Sequence, residues 1–175
     1  MIKAKIHDKE KERLALLNLY SILDTPAEKD YDNLTKLAAE ICQAPISLIT
    51  LLDDKRQWFK SHHGIDVSET PIEHSFCAHA IIGDEEIFTM DDARDDARFL
   101  DNPLVTGNPN IVFYAGIPLK NATGIPLGTL CVMDRKPRIL TDSQKESLKI
   151  LSEQVINLLE LRTNKLELEK THKKL

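Results

Sequence analysis

Two pairs of strand-like runs, the first opening on the β-rich Ile46–Leu52, constrain this chain more than any other feature. Ile46–Leu52 is followed, after Asp53-Asp54-Lys55, by Gln57–Ser61, and Ile111–Leu119 is followed, after Asn121-Ala122-Thr123-Gly124, by Pro126–Met133. Turns this short make antiparallel hairpins, because a parallel return needs a crossover of about a dozen residues. Helical patterns flank the pairs. Residues 9–23 carry Leu16, Tyr20 and Leu23 on one stripe, with Leu14 and Leu17 beside it. Thr25, Pro26 and Glu28 read as N-cap, first helical position and capping box of a second helix, whose apolar face is Leu34, Leu37, Ala38 and Ile41. Thr141 and Gln144 make a further capping box, opening a last helix that runs nearly to the final residue.

Between the hairpins the pattern is less regular. Thr70-Pro71-Ile72-Glu73 resembles a helix start, although Ser75 to about Ile82 serves equally well. Glu86–Met90 reads as a short strand, and Asp91–Gly107 as a turn-rich excursion with room for one short helix around Arg98-Phe99-Leu100. The order helix, helix, hairpin, excursion, hairpin, helix predicts an α+β fold with an antiparallel sheet. An excursion this long is more often functional than idle.

At 175 residues the chain suits one domain that needs no disulfide or metal staple. No apolar run approaches the roughly 20 residues of a membrane span. The start has charge but no apolar stretch of the signal-peptide kind. Cys42, Cys77 and Cys131 are odd in number and widely spaced, which suits free thiols and a cytoplasmic setting. A net charge of −5 with interspersed signs argues against nucleic acid or an anionic membrane as partner.

Several stretches together resemble the GAF domain, in the form found at the N-terminus of bacterial signalling proteins. They are Ser21–Pro26, Arg56–Lys60, Ser75–Ile81, Arg98-Phe99 with Asn102–Val105, Phe113–Leu119 and Leu127–Asp134, in the expected order from about residue 12 to residue 162. The resemblance implies a sheet with the N- and C-terminal helices on one face and, on the other, a small-molecule pocket under a lid made by the excursion. It divides the chain into an extension (1–10), a sensory domain (11–162) and the start of a signalling helix (163–175) leading to an output domain. A diguanylate cyclase is the first expectation for that output and a histidine kinase the second. The chain itself is expected to do no chemistry. Arginines often stand where this sequence has Ile72 and Val112, and tetrapyrrole-binding members have a Cys followed directly by His. Here Ala78 separates Cys77 from His79, so no covalent cofactor is expected.

The ligand implied by the resemblance is a cyclic nucleotide, cAMP before cGMP. A helix starting near Ser75 offers free N–H groups for its phosphate. Phe76, Phe99 and Phe113 are candidates for a purine slot, and His79, Asp91, Arg94 and Thr129 for its edge or ribose. Strand alternation puts Leu130 and Val132 toward the helices and Thr129 and Cys131 toward the pocket, with Phe113 and Ala115 assigned provisionally to the pocket side. Cys77 completes the candidate ligand-binding set.

Other readings compete. His62, His63, His74, Cys77 and His79 crowd together, but no paired ligand motif accompanies them, so no metal is expected. Cys77 and Cys131 allow a thiol redox enzyme acting on methionine sulfoxide, although no neighbour visible in the sequence would lower a thiol pKa. Asp91–Arg98 is a charge run of the kind that usually faces solvent. The last helix places Leu151, Leu158, Leu161, Leu168 and Leu175 on a heptad seam interrupted by Gln154, Lys165 and His172. That seam predicts a parallel homodimer, and a ligand-free dimerisation module of a histidine kinase is the alternative function.

Overall fold

The computed structural model describes residues 1–173. Helices α1 (Glu10–Tyr20) and α2 (Lys29–Cys42) lead into strands β1 (Ile46–Leu52), β2 (Arg56–His63) and β3 (Glu69–Pro71). A 3-10 turn at Ile72–His74, the short helix α3 (Phe76–Ala80), strand β4 (Phe88–Met90) and helix α4 (Pro103–Thr106) form the excursion. Strands β5 (Phe113–Lys120) and β6 (Pro126–Asp134) and the long helix α5 (Asp142–Lys173) complete the chain. The six strands lie in the order β3-β2-β1-β6-β5-β4, and every neighbouring pair is antiparallel.

The sheet separates two cores. Leu130 of β6 lies opposite Ile49 of β1 and Ile117 of β5, and Val132 lies opposite Ala115. These residues pack with Leu17, Tyr31, Ala38, Leu148, Val155 and Leu159 of α1, α2 and α5. Complete burial of each leucine, isoleucine or valine among them is worth about 1.5–3 kcal/mol. The opposite face carries Leu48, Phe59, Tyr114, Cys131 and Met133, covered by Phe76, Ala80, Phe99 and Val105. The expected assignment of Leu130 and Val132 to the helices therefore holds. Phe113 and Ala115 are a correction: both belong to the helix-side core. Directly opposed residues share a face, so pairing Ala115 with Val132 fixes the phase of β5, which its own alternation left open.

A β-bulge explains the most unusual buried charge. Between Ile49 and Thr50 the register of β2 shifts from Ser61 to Phe59, so that Lys60 is the extra residue. Its side chain turns toward α2 instead of the other face. There Nζ donates to Thr25 Oγ1 at 2.9 Å and to the Pro26 carbonyl at 2.7 Å, pairs with Glu28, and lies 5.1 Å from the Tyr31 ring centre. Thr25 is thereby spent as a ligand of the ammonium and does not cap α2, which starts at Lys29 with Glu28 as N-cap. Thr35 bonds Ser61 across the same seam. The buried stripe of α2 is accordingly Tyr31, Thr35, Ala38 and Cys42, one position round from the expected one, and Leu37 and Ile41 are exposed.

Other boundaries move for local reasons. Helix α1 stops at Tyr20, where Ser21 takes a left-handed conformation and Arg162 of α5 donates to the carbonyls of Tyr20 and Ser21. The short helix of the excursion forms at Pro103 and not around Phe99, because Asn102 caps it through Leu104 N–H and proline occupies its first turn. The Thr141–Gln144 capping box forms reciprocally, at 2.9 and 3.1 Å. Along α5 the expected seam divides. Leu151 is buried against its own sheet and Leu158 is half-buried there, whereas Leu161 and Leu168 are exposed; Leu175 lies outside the described residues. The cause is the sheet, which covers α5 only as far as Leu159.

Removing the buried ammonium leaves the Pro26 carbonyl unpaired and costs packing over Tyr31. Lys60→Ala should lower the unfolding free energy by about 3 kcal/mol. Glu28 is half-exposed, and Glu28→Gln should cost under about 1 kcal/mol. Urea denaturation of the two variants checks the order; equal losses would show that the ion pair, and not the carbonyl and hydroxyl ligands, holds Lys60.

Candidate functional site

Three arrangements occupy the face opposite the terminal helices. The first is a sealed polar cluster on the sheet. Cys77 Sγ of α3 lies 3.0 Å from Thr129 Oγ1, 3.1 Å from Tyr114 Oη and 3.3 Å from Thr50 Oγ1. Thr50 and Thr129 are hydrogen-bonded to each other at 3.0 Å across β1 and β6. Cys131 stands in the same group, and all five side chains are buried. Burial pushes the Cys77 thiol up, but the Cys131 thiol and the three hydroxyls aimed at its sulfur outweigh it and hold Cys77 below the ordinary thiol value. Burial and the neighbouring Cys77 push Cys131 well above the ordinary thiol value. The sequence gives no sign of this, since the hydroxyls come from three different strands. Gly116 makes the geometry possible: a Cβ there would lie 2.3 Å from Tyr114 Oη.

The second is an aromatic cluster that fills the place of the expected purine slot. Phe76 meets Phe99 edge-on at 5.1 Å between ring centres and Tyr114 at 5.5 Å, and Phe88 lies against Phe99 and Tyr114. Arg98 sits 5.1 Å from the ring centres of both Phe88 and Phe99. His79 packs edge-on to Phe99 at 4.8 Å, its Nε2 is bonded to the Ile2 carbonyl, and burial holds it below the ordinary histidine value. With the rings packed on one another and Phe113 on the far side of the sheet, Phe76, Phe99 and Phe113 form no slot. Asp91 and Arg94 are exposed, and Arg94 is tied to Asp92 at 2.7 Å. Helix α3 has five residues, and Ser75 Oγ already accepts from Ala78 N–H, so its start is not an anion site. Ile72 is half-buried and Val112 buried at the positions where the family resemblance leads one to expect arginines.

The third is open. A cleft of about 420 Å³ lies between the β2–β3 loop, α4 and the segment before β5. Leu48, Phe59, Phe76, Ile111 and Met133 make its apolar walls, and Gln57, Asp66, Thr70, Asn108 and Arg135 its polar ones. Gln57 is buried and held at both ends: Ser75 Oγ donates to its Oε1 at 2.6 Å, and its Nε2 donates to Thr70 Oγ1 at 3.1 Å. One Nε2 hydrogen remains available. Of the residues singled out from the sequence, Phe76 reaches the cleft directly and Ser75 through Gln57; Cys77, His79, Phe99, Thr129 and Cys131 lie behind it or beside it, and Asp91, Arg94, Phe113 and Ala115 elsewhere. Alternation along β2 would have put Gln57 and Phe59 on one face. Nothing local links Gln57 to Ser75, or Asp66 to Arg135. Among the described residues no group of three or more His, Cys, Asp or Glu side chains is placed to hold a metal ion.

The buried thiols argue against turnover of an external substrate at Cys77 or Cys131. Ellman's reagent should titrate none of the three cysteines in the folded protein and all three in guanidinium; rapid reaction of one thiol in the native state would reopen the redox reading. Gly116→Ala should cost about 2 kcal/mol by displacing Tyr114, and less in a Tyr114→Phe background, as read by urea denaturation of the four-member cycle.

A family model described as "GAF domain" matches residues 26–159. Over 129 residues the chain is 45% identical to a cyclic di-GMP phosphodiesterase of Pseudomonas aeruginosa, a match that spans 74% of this chain and 22% of that protein. Among solved structures, a GAF domain of an Acinetobacter phosphoenolpyruvate-protein phosphotransferase superposes with a TM-score of 0.62 at 17% identity, covering 87% of this chain and 93% of that one. A GAF domain region from Geobacter sulfurreducens gives 0.60 at 18% identity, with 86% and 97% covered. At these identities the two structures speak to the fold alone.

Proposed function

The chain belongs to the GAF domain family, and from that premise we propose that it is the sensory part of a larger signalling protein. A small molecule enters the cleft beside Gln57, and the event passes to a C-terminal output module through α5. One observation carries this reading. Strand β6 contributes Met133 to the cleft while its alternate residues Leu130 and Val132 pack in the core shared with α5. A ligand that shifts β6 therefore acts on both faces of the sheet at once. A micromolar ligand supplies about 8 kcal/mol, and only the part that differs between two domain states drives the switch.

For the output, cyclic di-GMP turnover is the best-supported choice, because the relative that shares 45% identity is named a cyclic di-GMP phosphodiesterase. That favours hydrolysis over the synthesis expected from a diguanylate cyclase. A cyclic nucleotide, cAMP before cGMP, is a second reading for the ligand. Its phosphate would go to Arg135 and its base against Phe59 and Phe76, in the cleft and not at α3. Assembly as a homodimer fits Leu161 and Leu168, which stand exposed beyond the last buried turn of α5.

Sedimentation analysis should show a dimer for the wild type and a monomer for the Leu161→Glu/Leu168→Glu variant, since like charges would face each other along the seam. A monomeric wild type would remove the dimer from the reading. A native mass spectrum of the purified chain should carry a small-molecule adduct, lost when the cleft-lining Ile65 of the β2–β3 loop is enlarged in Ile65→Trp. A bare wild-type spectrum would favour the ligand-free dimerisation module.

A further inference from the structure

The cleft beside Gln57 carries two charges of opposite sign that the protein itself leaves unused. Asp66 and Arg135 both line it, and both are exposed. Arg135 Nε donates to the Pro109 carbonyl at 3.0 Å, which fixes the guanidinium at the edge of the cleft. Among the described residues neither side chain forms an ion pair, with the other or with any third group. Below them the walls are apolar and partly aromatic, and the Gln57 amide, locked by Ser75 and Thr70, offers one unused N–H.

A ligand suited to this surface has an anionic and a cationic group at one end and an apolar body at the other. A phosphate satisfies Arg135 but brings a second negative charge to the cleft that holds Asp66, with no further cation to offset it. A zwitterion satisfies both charges. On the sensory reading given above, we propose that the ligand is a free α-amino acid with an aromatic side chain. Its carboxylate pairs with Arg135, its ammonium with Asp66, and its ring packs against Phe59 and Phe76. A ring bearing an acceptor, as in tyrosine, also takes the Gln57 N–H. A volume of about 420 Å³ lies within the range of small-molecule pockets and is ample for such a molecule. Fork geometry makes Arg135 the natural partner of a carboxylate.

Calorimetric titration of the purified chain tests this with L-tyrosine, L-phenylalanine, 3-(4-hydroxyphenyl)propionate, tyramine, cAMP, cGMP and 5′-AMP. Asp66 and Arg135 are exposed, so Asp66→Asn and Arg135→Gln should leave the fold intact, which a thermal melt verifies. The two amino acids should bind, tyrosine more tightly, and each substitution should weaken them at least tenfold. The propionate, which lacks the ammonium, should bind Asp66→Asn no more weakly than the wild type. Tyramine, which lacks the carboxylate, should bind Arg135→Gln no more weakly than the wild type. Amino-acid binding insensitive to both substitutions overturns the proposal, as does absence of heat from the amino acids at millimolar concentration. In that last case, Arg135-dependent heat from a cyclic nucleotide, or an adduct in the native mass spectrum, keeps the sensory reading. A protein that binds none of these and carries no adduct takes both down.

Discussion

Strand β6 is buried over its whole length, and its neighbours β1 and β5 pair with it in a register that sorts every side chain of the central sheet. Leu130 and Val132 face the helices between Ile49, Ile117 and Ala115, while Thr129 and Cys131 face the other way beside Thr50 and Cys77. A slip of one residue would put two aliphatic side chains into the hydroxyl–thiol cluster and two polar ones under α5, and both cores would be lost together. The two layers of helices and the site therefore depend on the same set of strand pairings.

The bulge at Lys60 is the counterpart of that register at the edge. An inserted residue lets the sheet keep Phe59 on the cleft side while turning Lys60 toward α2, where a carbonyl, a hydroxyl and a carboxylate meet the ammonium. A buried charge of this kind is seldom a source of net stability. Here it anchors the segment between α1 and α2, and with the Thr35–Ser61 bond it selects which stripe of α2 faces the sheet. The apolar residues displaced by that choice, Leu37 and Ile41, are left at the surface.

On the opposite face Phe76 separates a closed compartment from an open one. Behind it the Cys77 cluster satisfies its own polar atoms and is shut off from solvent. In front, Gln57 is held by groups from β3 and from the start of α3, and leaves one donor for a guest. The closed compartment ties α3 to the central strands, so that the open one has a rigid wall. Its polar groups come from β2, β3, the loop between them and the segments before β5 and after β6, a set brought together only by the folded sheet.

Local patterns in the sequence determined most of the architecture. The hairpins, the Thr141–Gln144 box, the α+β order and the faces of Leu130, Val132, Thr129 and Cys131 follow from periodicities of two and about 3.6 and from capping chemistry, all written within a few residues. The family resemblance rests on the same short stretches. What only the tertiary structure decided involves partners far apart in sequence. Pairing with β6 set the phase of Phe113 and Ala115, Lys60 withdrew Thr25 from its expected cap, and the extent of the sheet divided the leucines of α5. Packing of Phe76 on Phe99 closed the expected slot, and Gln57, Asp66 and Arg135, far apart in sequence, became neighbours of one cleft. Side-chain period is a property of one strand or helix, whereas phase and proximity are properties of the pairs it makes.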